Sequence, residues 1–149
     1  MYKHSERRYL AHSSKSVFDI VMDVGAYPEF LPWCMAVRVL SKDKTVMLAE
    51  MAVGYKGIRE TYKSEVTFNE DDLLIDVTAV DGPFNKLSNT WRFMEADDGG
   101  CMVDFSIEFE FRSRLLQGVI GVFFEQAVAK MVAAFEERAD KLHYSKVPV

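Results

Sequence analysis

Strict alternation of apolar and polar side chains between residues 101 and 112 limits the possible folds more than any other feature of this chain. In CMVDFSIEFEFR, every second residue from Cys101 to Phe111 is apolar, and most of the residues between them are polar or charged. Successive side chains of a β-strand point to opposite faces of the sheet. The pattern therefore predicts a strand with one apolar face and one wetter face.

The same alternation recurs in LLIDVTAV, residues 73–80, and in KLSNTWRF, residues 86–93. Turn-forming residues such as Asp81-Gly82-Pro83 separate these segments, which is typical of hairpins,. Further strand-like segments lie at 3–11, 36–41, 44–53 and 56–68. Together they predict about seven strands in an antiparallel meander.

Helical spacing of apolar residues occurs twice. Serine caps after residue 12 and apolar residues from Val17 to Val24 predict a short helix that ends near Gly25,. Residues 114–143 predict a long amphipathic helix. Its expected buried stripe contains Leu116, Ile120, Phe123, Ala127, Met131, Phe135 and Leu142.

Strands followed by one long helix predict an α+β fold in which the helix covers the apolar face of the sheet. A helix of about 28 residues extends roughly 42 Å, so the sheet has to curve around it. The chain has 149 residues, which suits one ordinary domain. We therefore expect a single domain over residues 1–149.

Charge and cysteine content restrict the partners. The formal net charge of -5 and the pI near 5.2 disfavour general nucleic-acid binding, and no DNA partner is expected,. The tight basic pairs, Arg7-Arg8 and Arg112 with Arg114, are interpreted as solvated surface,. Cys34 and Cys101 form no CxxC or zinc pattern, which indicates reduced thiols, no metal site and a cytoplasmic location,.

The sequence also bears on membrane association and catalysis. The longest uncharged apolar run, residues 115–124, is shorter than the roughly 20 residues of a membrane span, so peripheral contact at the inner face of a membrane is expected instead,.

His4, His12 and His143 do not adjoin a nucleophile, and no GxSxG, P-loop or GxGxxG motif occurs,. We expect a non-catalytic protein, with a triad assembled from distant residues as the alternative.

The segment YPEFLPWC, residues 27–34, combines two prolines with several large apolar side chains. It is either a lid or a membrane-contacting segment at a pocket mouth, or a segment packed inward.

Gly118 and Gly121 interrupt the long helix, which suits a passage that must stay open or a helix that must flex,. Glu60 and Asn89 share strand phase with apolar residues, so they either bond within the protein or orient a bound molecule,.

Four motifs in order resemble the coenzyme-Q-binding members of the START-like, polyketide cyclase superfamily. They are YPEFLPWC after a short helix, VGYKGIRETYKSEVTF, DGPFNKLSNTWRF, and VDFSIEFEFRS before a long glycine-containing helix. The likeness extends from about residue 3 to residue 142. It implies a helix-grip fold, in which a curved antiparallel sheet of about seven strands wraps around a long C-terminal helix and leaves a hydrophobic tunnel.

The resemblance implies binding of coenzyme Q (ubiquinone) or a related polyprenyl lipid, in support of respiration or quinone biosynthesis, with no required cofactor. The same family includes a bacterial ribosome-association toxin said to bind the large ribosomal subunit and block subunit joining. That role is the alternative.

In the quinone interpretation, apolar residues of the last strand and helix surround the isoprenoid tail: Phe105, Ile107, Phe109, Ile120, Phe124 and Val128. Large side chains near the mouth surround the ring: Tyr27, Phe30, Leu31, Trp33, Phe84 and Trp91. Glu60 and Asn89 complete the predicted ligand-binding set.

Overall fold

The computed structural model describes residues 1–55 and 57–143, which form one sheet, two α-helices and a short 3-10 helix. The strands are β1 (Tyr2–Leu10), β2 (Cys34–Lys42), β3 (Val46–Tyr55), β4 (Ile58–Asn69), β5 (Leu74–Asp81), β6 (Phe84–Glu95) and β7 (Cys101–Phe111). The helices are α1 (Ser14–Met22), the 3-10 helix (Val24–Glu29) and α2 (Arg114–His143).

The sheet has seven strands in the order β1-β7-β6-β5-β4-β3-β2, and every neighbouring pair is antiparallel. Strands β2 to β7 form the predicted meander, and β1 closes it by pairing with β7. The predicted α+β class, the strand number and the long C-terminal helix are all confirmed.

Strand β7 shows why the alternation predicted the sheet correctly. Its residues Cys101, Val103 and Phe105 are buried, as the pattern requires for the inward face. On the outward face, Asp104 accepts two hydrogen bonds from the guanidinium of Arg7, at 2.6 and 3.0 Å. This pair joins the neighbouring strands β1 and β7 at the surface, and the guanidinium lowers the pKa of Asp104.

Helix α1 begins as predicted, because the Ser13 side chain caps it by accepting a hydrogen bond from the Ser16 amide at 3.2 Å. It ends at Met22, before the expected position near Gly25. The Asp23 amide, which follows Met22, donates the last hydrogen bond of the helix to the carbonyl of Asp19. The chain then tightens into the 3-10 helix, which contains the first residues of the YPEFLPWC segment.

Helix α2 has 30 residues and packs against the curved sheet. The ring of Phe124 lies 5.3 Å from Phe109 of β7, centroid to centroid, and Phe135 lies 5.2 Å from Trp91 of β6. The buried side of α2 differs in part from the predicted stripe: Leu142 is 49% exposed. The buried residues are Phe124, Val128, Met131, Val132, Phe135 and Ala139.

Polar contacts hold the C-terminal half of α2 in place. The imidazole of His12, which is 1% exposed, lies 2.7 Å from the carboxylate of Asp140, Nε2 to Oδ1. Arg8 of β1 donates to Glu136 at 2.9 Å. Arg138 donates to Glu29 at 3.3 Å. These contacts tie the last two turns of α2 to β1, to the loop after it and to the 3-10 helix.

Candidate ligand cavity

An apolar cavity of about 160 Å³ lies between the sheet and the first two-thirds of α2. Phenylalanine, isoleucine, valine and methionine side chains form most of its wall. Strand β7 contributes Ile107, Phe109 and Phe111, because these residues share the inward phase of that strand. Glu60 is the one acidic or basic residue among the described residues that line it. The wall therefore favours an apolar occupant with at most one polar end.

A smaller cavity of about 90 Å³ adjoins the larger one, and three residues line both: Trp33, Ile107 and Met131. A cavity of roughly 150 Å³ in another protein holds one benzene molecule, whereas pockets for drug-sized ligands measure about 300–1,000 Å³. In this conformation the larger cavity therefore has room for one ring or a comparable apolar group. A longer ligand has to displace the side chains that divide the two cavities, or to extend through the opening.

The structure distributes thirteen of the fourteen predicted site residues over three cavities. The larger cavity is lined by Trp33, Glu60, Phe84, Ile107, Phe109, Ile120, Phe124 and Val128. The smaller one is lined by Tyr27, Leu31, Asn89 and Trp91, with Trp33 and Ile107 shared. Phe105 lies with Trp91 at a third cavity of about 30 Å³, beside α1.

Phe30 lines none of these three cavities. Its ring packs edge-on against Tyr27 and Phe135, with centroid distances of 5.8 and 5.3 Å, and the guanidinium of Arg138 lies 5.0 Å from its centroid. Phe30 therefore connects the 3-10 helix to the second half of α2 and makes no wall for a ligand.

The YPEFLPWC segment packs inward. Leu31 is 2% exposed, and Tyr27 is buried with its hydroxyl donating to the carbonyl of Val21. Burial raises the pKa of Tyr27 above its ordinary value. Of the two interpretations of this segment, the geometry favours the packed one: its side chains form part of the floor of the smaller cavity.

The two polar residues on inward strand phases differ in their bonding. The side-chain amide of Asn89 donates to the carbonyl of Ser106 at 2.8 Å and accepts from the Trp91 indole N–H at 2.8 Å. Asn89 thus bonds within the protein. The half-buried carboxylate of Glu60 makes no hydrogen bond or ion pair with any residue that the structure describes, so it is available to a ligand.

Part of the wall of the larger cavity comes from the end of β3, the start of β4 and the first half of α2. Tyr55, Ile58 and Phe123 line the cavity there and are half-exposed. The rings of Tyr55 and Phe123 meet edge-on, with centroids 6.0 Å apart. Sequence reasoning missed Tyr55 as a lining residue, because its place follows from the pairing of Tyr55 with Ile58 across the hairpin.

The two helix glycines have different surroundings. A Cβ at Gly121 would lie 1.8 Å from the hydroxyl oxygen of Tyr2, which itself donates to the carbonyl of Gln117 at 2.6 Å. Gly121 thus makes room for Tyr2 and not for a ligand. Gly118 faces open space, with nothing within 4 Å of an added Cβ.

Residues Arg114–Leu142 of α2 are long and apolar enough to cross a membrane by length and composition, with a window of mean hydropathy 1.5. Core helices of soluble proteins meet the same criterion, but most of such a helix is buried, whereas 28% of this window is buried. Leu115 and Val122, in the first half of α2, are each 78% exposed. The first half of this helix is therefore apolar on its outer side as well as on its inner side.

The family model described as polyketide cyclase/dehydrase and lipid transport matches residues 10–136. The chain belongs to this family. Members of the family have a START-like fold that binds lipids, and the cavity described above occupies the space between sheet and helix in this chain.

Relatives within the family have two different names. The chain is 37% identical over 145 residues to the ribosome association toxin RatA of Rickettsia prowazekii, covering 95% of this chain and 99% of that protein. It is 40% identical over 147 residues to the mitochondrial coenzyme Q-binding protein COQ10 homolog B of Xenopus laevis. That match covers 95% of this chain and 59% of the relative's length.

A solved structure shows the fold in a more distant protein. The Zhui aromatase/cyclase of a Streptomyces species superposes with a TM-score of 0.84 at 15% identity, covering 94% of each chain. At this identity the likeness concerns the fold alone. The aromatase/cyclase therefore shares the architecture of this chain and supports no statement about its activity.

Proposed function

We propose that this protein is a non-catalytic carrier of coenzyme Q or a related polyprenyl lipid. The observation that carries the proposal is the larger cavity, whose described wall is mostly apolar, with Glu60 as its one acidic or basic residue. A quinone attached to an isoprenoid tail has the matching composition, with a weakly polar ring and an apolar chain. The 40% identity to a protein named as coenzyme Q-binding supports the same choice of ligand.

The cavity provides affinity through burial of apolar surface. Each buried methylene contributes about 0.8 kcal/mol, so one five-carbon isoprene unit contributes about 4 kcal/mol before the entropic cost of binding. Phe109 and Phe124, whose centroids are 5.3 Å apart, form an aromatic wall against which a ring or an isoprene unit packs,. Glu60 can accept a hydrogen bond from a ring hydroxyl of the reduced, quinol form of the ligand, since the quinone form carries only acceptor oxygens.

A binding role without catalysis is supported by the residue types in the larger cavity. Its described wall contains no histidine, cysteine, serine or lysine that would serve as a nucleophile,. His12, the histidine that contacts a carboxylate of α2, lines none of the three cavities described above.

The proposal is tested by the lipids that the protein retains. Protein purified without detergent from its native host is extracted into organic solvent, and the extract is analysed by mass spectrometry. We expect a prenylated quinone or a biosynthetic precursor of one in stoichiometric amounts. Lipid-free protein should also bind a short-chain ubiquinone saturably. Absence of both a retained prenyl lipid and saturable binding would remove the proposal.

A second candidate function is association with the ribosome. It is favoured by the match to RatA, which covers 99% of that relative, compared with 59% of the coenzyme Q-binding one. The net charge of -5 counts against direct contact with RNA,. Sedimentation of the purified protein with separated ribosomal subunits tests this role, and comigration with one subunit at physiological salt would support it.

A further inference from the structure

We propose that the first two turns of α2 form a docking surface for the headgroup region of a bilayer that contains anionic lipids. This surface, here called the apolar helix face, consists of Leu115, Val119 and Val122 together with the flanking Arg112 and Arg114. The proposal goes beyond ligand binding in the cavity, because it concerns the opposite side of the helix.

The apolar helix face is most exposed at its two ends, Leu115 and Val122. Leu115 and Val122 are seven residues apart, which is about two helical turns, so they lie on the same side of α2. Both are 78% exposed, and Val119 between them is half-exposed. The same side of the helix becomes polar from Glu125 onward, where Gln126 and Lys130 are also exposed. The two most exposed large apolar side chains of α2 thus lie near the end of the helix that follows β7, and the next one along the helix is Leu142 in the last turn.

Two unpaired arginines border this surface. Arg112 and Arg114 are exposed and form no ion pair with any residue that the structure describes. In contrast, Arg7 and Arg38 pair with Asp104 and Glu50. A cation near the surface of an anionic membrane gains about 1 kcal/mol, and an uncharged apolar helix face beside basic residues is typical of helices that lie in the interface.

The position of the apolar helix face also favours a bilayer as its occupant. The inner side of the same segment contributes Ile120 and Phe123 to the cavity wall. A bilayer docked on the outer side would therefore lie one helix diameter, roughly 10–12 Å, from the cavity wall.

Vesicle binding tests this proposal with the full chain. Vesicles of phosphatidylcholine alone are compared with vesicles that contain phosphatidylglycerol, and bound protein is measured by flotation. We expect binding to the anionic vesicles. The double variant Leu115→Ser/Val122→Ser should bind them roughly tenfold or more weakly, and Arg112→Gln/Arg114→Gln should lose most of the preference for anionic vesicles, about fivefold per arginine.

The matched control is Val80→Ser on β5, because Val80 is 52% exposed and lies far from α2 in sequence. Val80→Ser should bind vesicles like the wild type. Equal binding of wild type and Leu115→Ser/Val122→Ser would overturn the proposal, as would failure of the wild type to bind anionic vesicles. Size-exclusion chromatography gives a further outcome: a dimer that the double variant abolishes would make this face an interface between copies and would overturn membrane docking.

Two further measurements separate this proposal from the carrier function and from misfolding. The double variant should unfold at the same temperature as the wild type, because both replaced side chains are largely exposed,. It should also bind a short-chain ubiquinone in vesicle-free buffer with unchanged affinity. Normal ligand binding with lost vesicle binding supports docking through this face. Normal vesicle binding without ligand binding leaves docking intact and removes the carrier function.

Discussion

Filling the larger cavity with a side chain tests two properties separately: whether the ligand binds there, and how much the empty space lowers the stability of the fold. Ala127 lines this cavity, whereas Ala133 is exposed on the same helix. Ala127→Phe is therefore compared with the matched control Ala133→Phe. Both variants exchange alanine for phenylalanine within one helix, so the helix-propensity cost of roughly 0.5 kcal/mol is shared and cancels in the comparison.

The expected change in stability follows from the size of the cavity. Empty apolar volume costs about 24 cal/mol per Å³ in large-to-small substitution series. For a cavity of about 160 Å³, complete filling gives an upper limit of about 4 kcal/mol,. A phenyl ring fills part of this space and the cavity is partly open, so we expect a gain of about 1–2 kcal/mol in the free energy of unfolding relative to Ala133→Phe.

Two measurements check this expectation. Chemical denaturation gives the free energy of unfolding of each variant, and quenching of tryptophan fluorescence reports ligand binding, because Trp33 lines both cavities. Ala127→Phe should bind a short-chain ubiquinone at least tenfold more weakly than Ala133→Phe. Unchanged affinity would place the ligand elsewhere. A loss of more than about 1 kcal/mol in stability would mean that the space cannot accept a ring.

Four further substitutions have definite expected outcomes. Glu60→Leu should raise the free energy of unfolding by about 1 kcal/mol in denaturant titrations, because it removes an unpaired half-buried carboxylate,. It should also weaken binding of ligands with a hydroxylated ring. Gly121→Ala should lower the melting temperature by displacing Tyr2, whereas Gly118→Ala should raise the free energy of unfolding by up to about 1 kcal/mol; equal effects would contradict the geometry,. His12→Ala should cost about 2–4 kcal/mol by denaturation, since it empties a buried site and removes a polar contact with α2,.

Periodicity predicted the elements of the fold because it records which face of each element is buried. The alternation in β7 and the helical spacing after residue 114 both report burial directly. The pattern could not resolve the exact buried side of α2. Leu142 follows the predicted stripe but lies in the last turn, beyond the sheet that would cover it, and is exposed.

The candidate site was harder to predict from the sequence than the fold was, because a cavity depends on which side chains of different strands and helices meet. Glu60 faces Val53 in the β3–β4 register, and Tyr55 faces Ile58. Neither pairing is encoded locally. The composition of YPEFLPWC allowed both a lid and a packed segment, and the burial of Tyr27 and Leu31, together with the hydrogen bond from Tyr27 to the carbonyl of Val21, distinguishes them. The sequence showed Gly121 as an unusual residue within a helix, but the reason for it is contact with Tyr2, at the other end of the chain.

The two ends of α2 are held by different contacts. The three polar contacts with Arg8, His12 and Glu29 all involve its last eight residues. Near its start, Tyr2 donates to the carbonyl of Gln117, the Gln117 side chain accepts from the Phe111 amide at 2.8 Å, and the Ser113 hydroxyl accepts from the Leu116 amide at 3.2 Å.

Segments with few buried contacts open locally at a lower free energy than the rest of a protein. In this chain that segment is the start of α2, because none of residues 114–121 is buried, and Ile120 within it lines the larger cavity. We therefore expect a ligand longer than the cavity to enter by displacing the start of α2, while the anchored second half keeps the helix on the sheet. Insertion of the apolar helix face into lipid would favour that displaced state, because the apolar surface exposed by the movement would meet hydrocarbon instead of water.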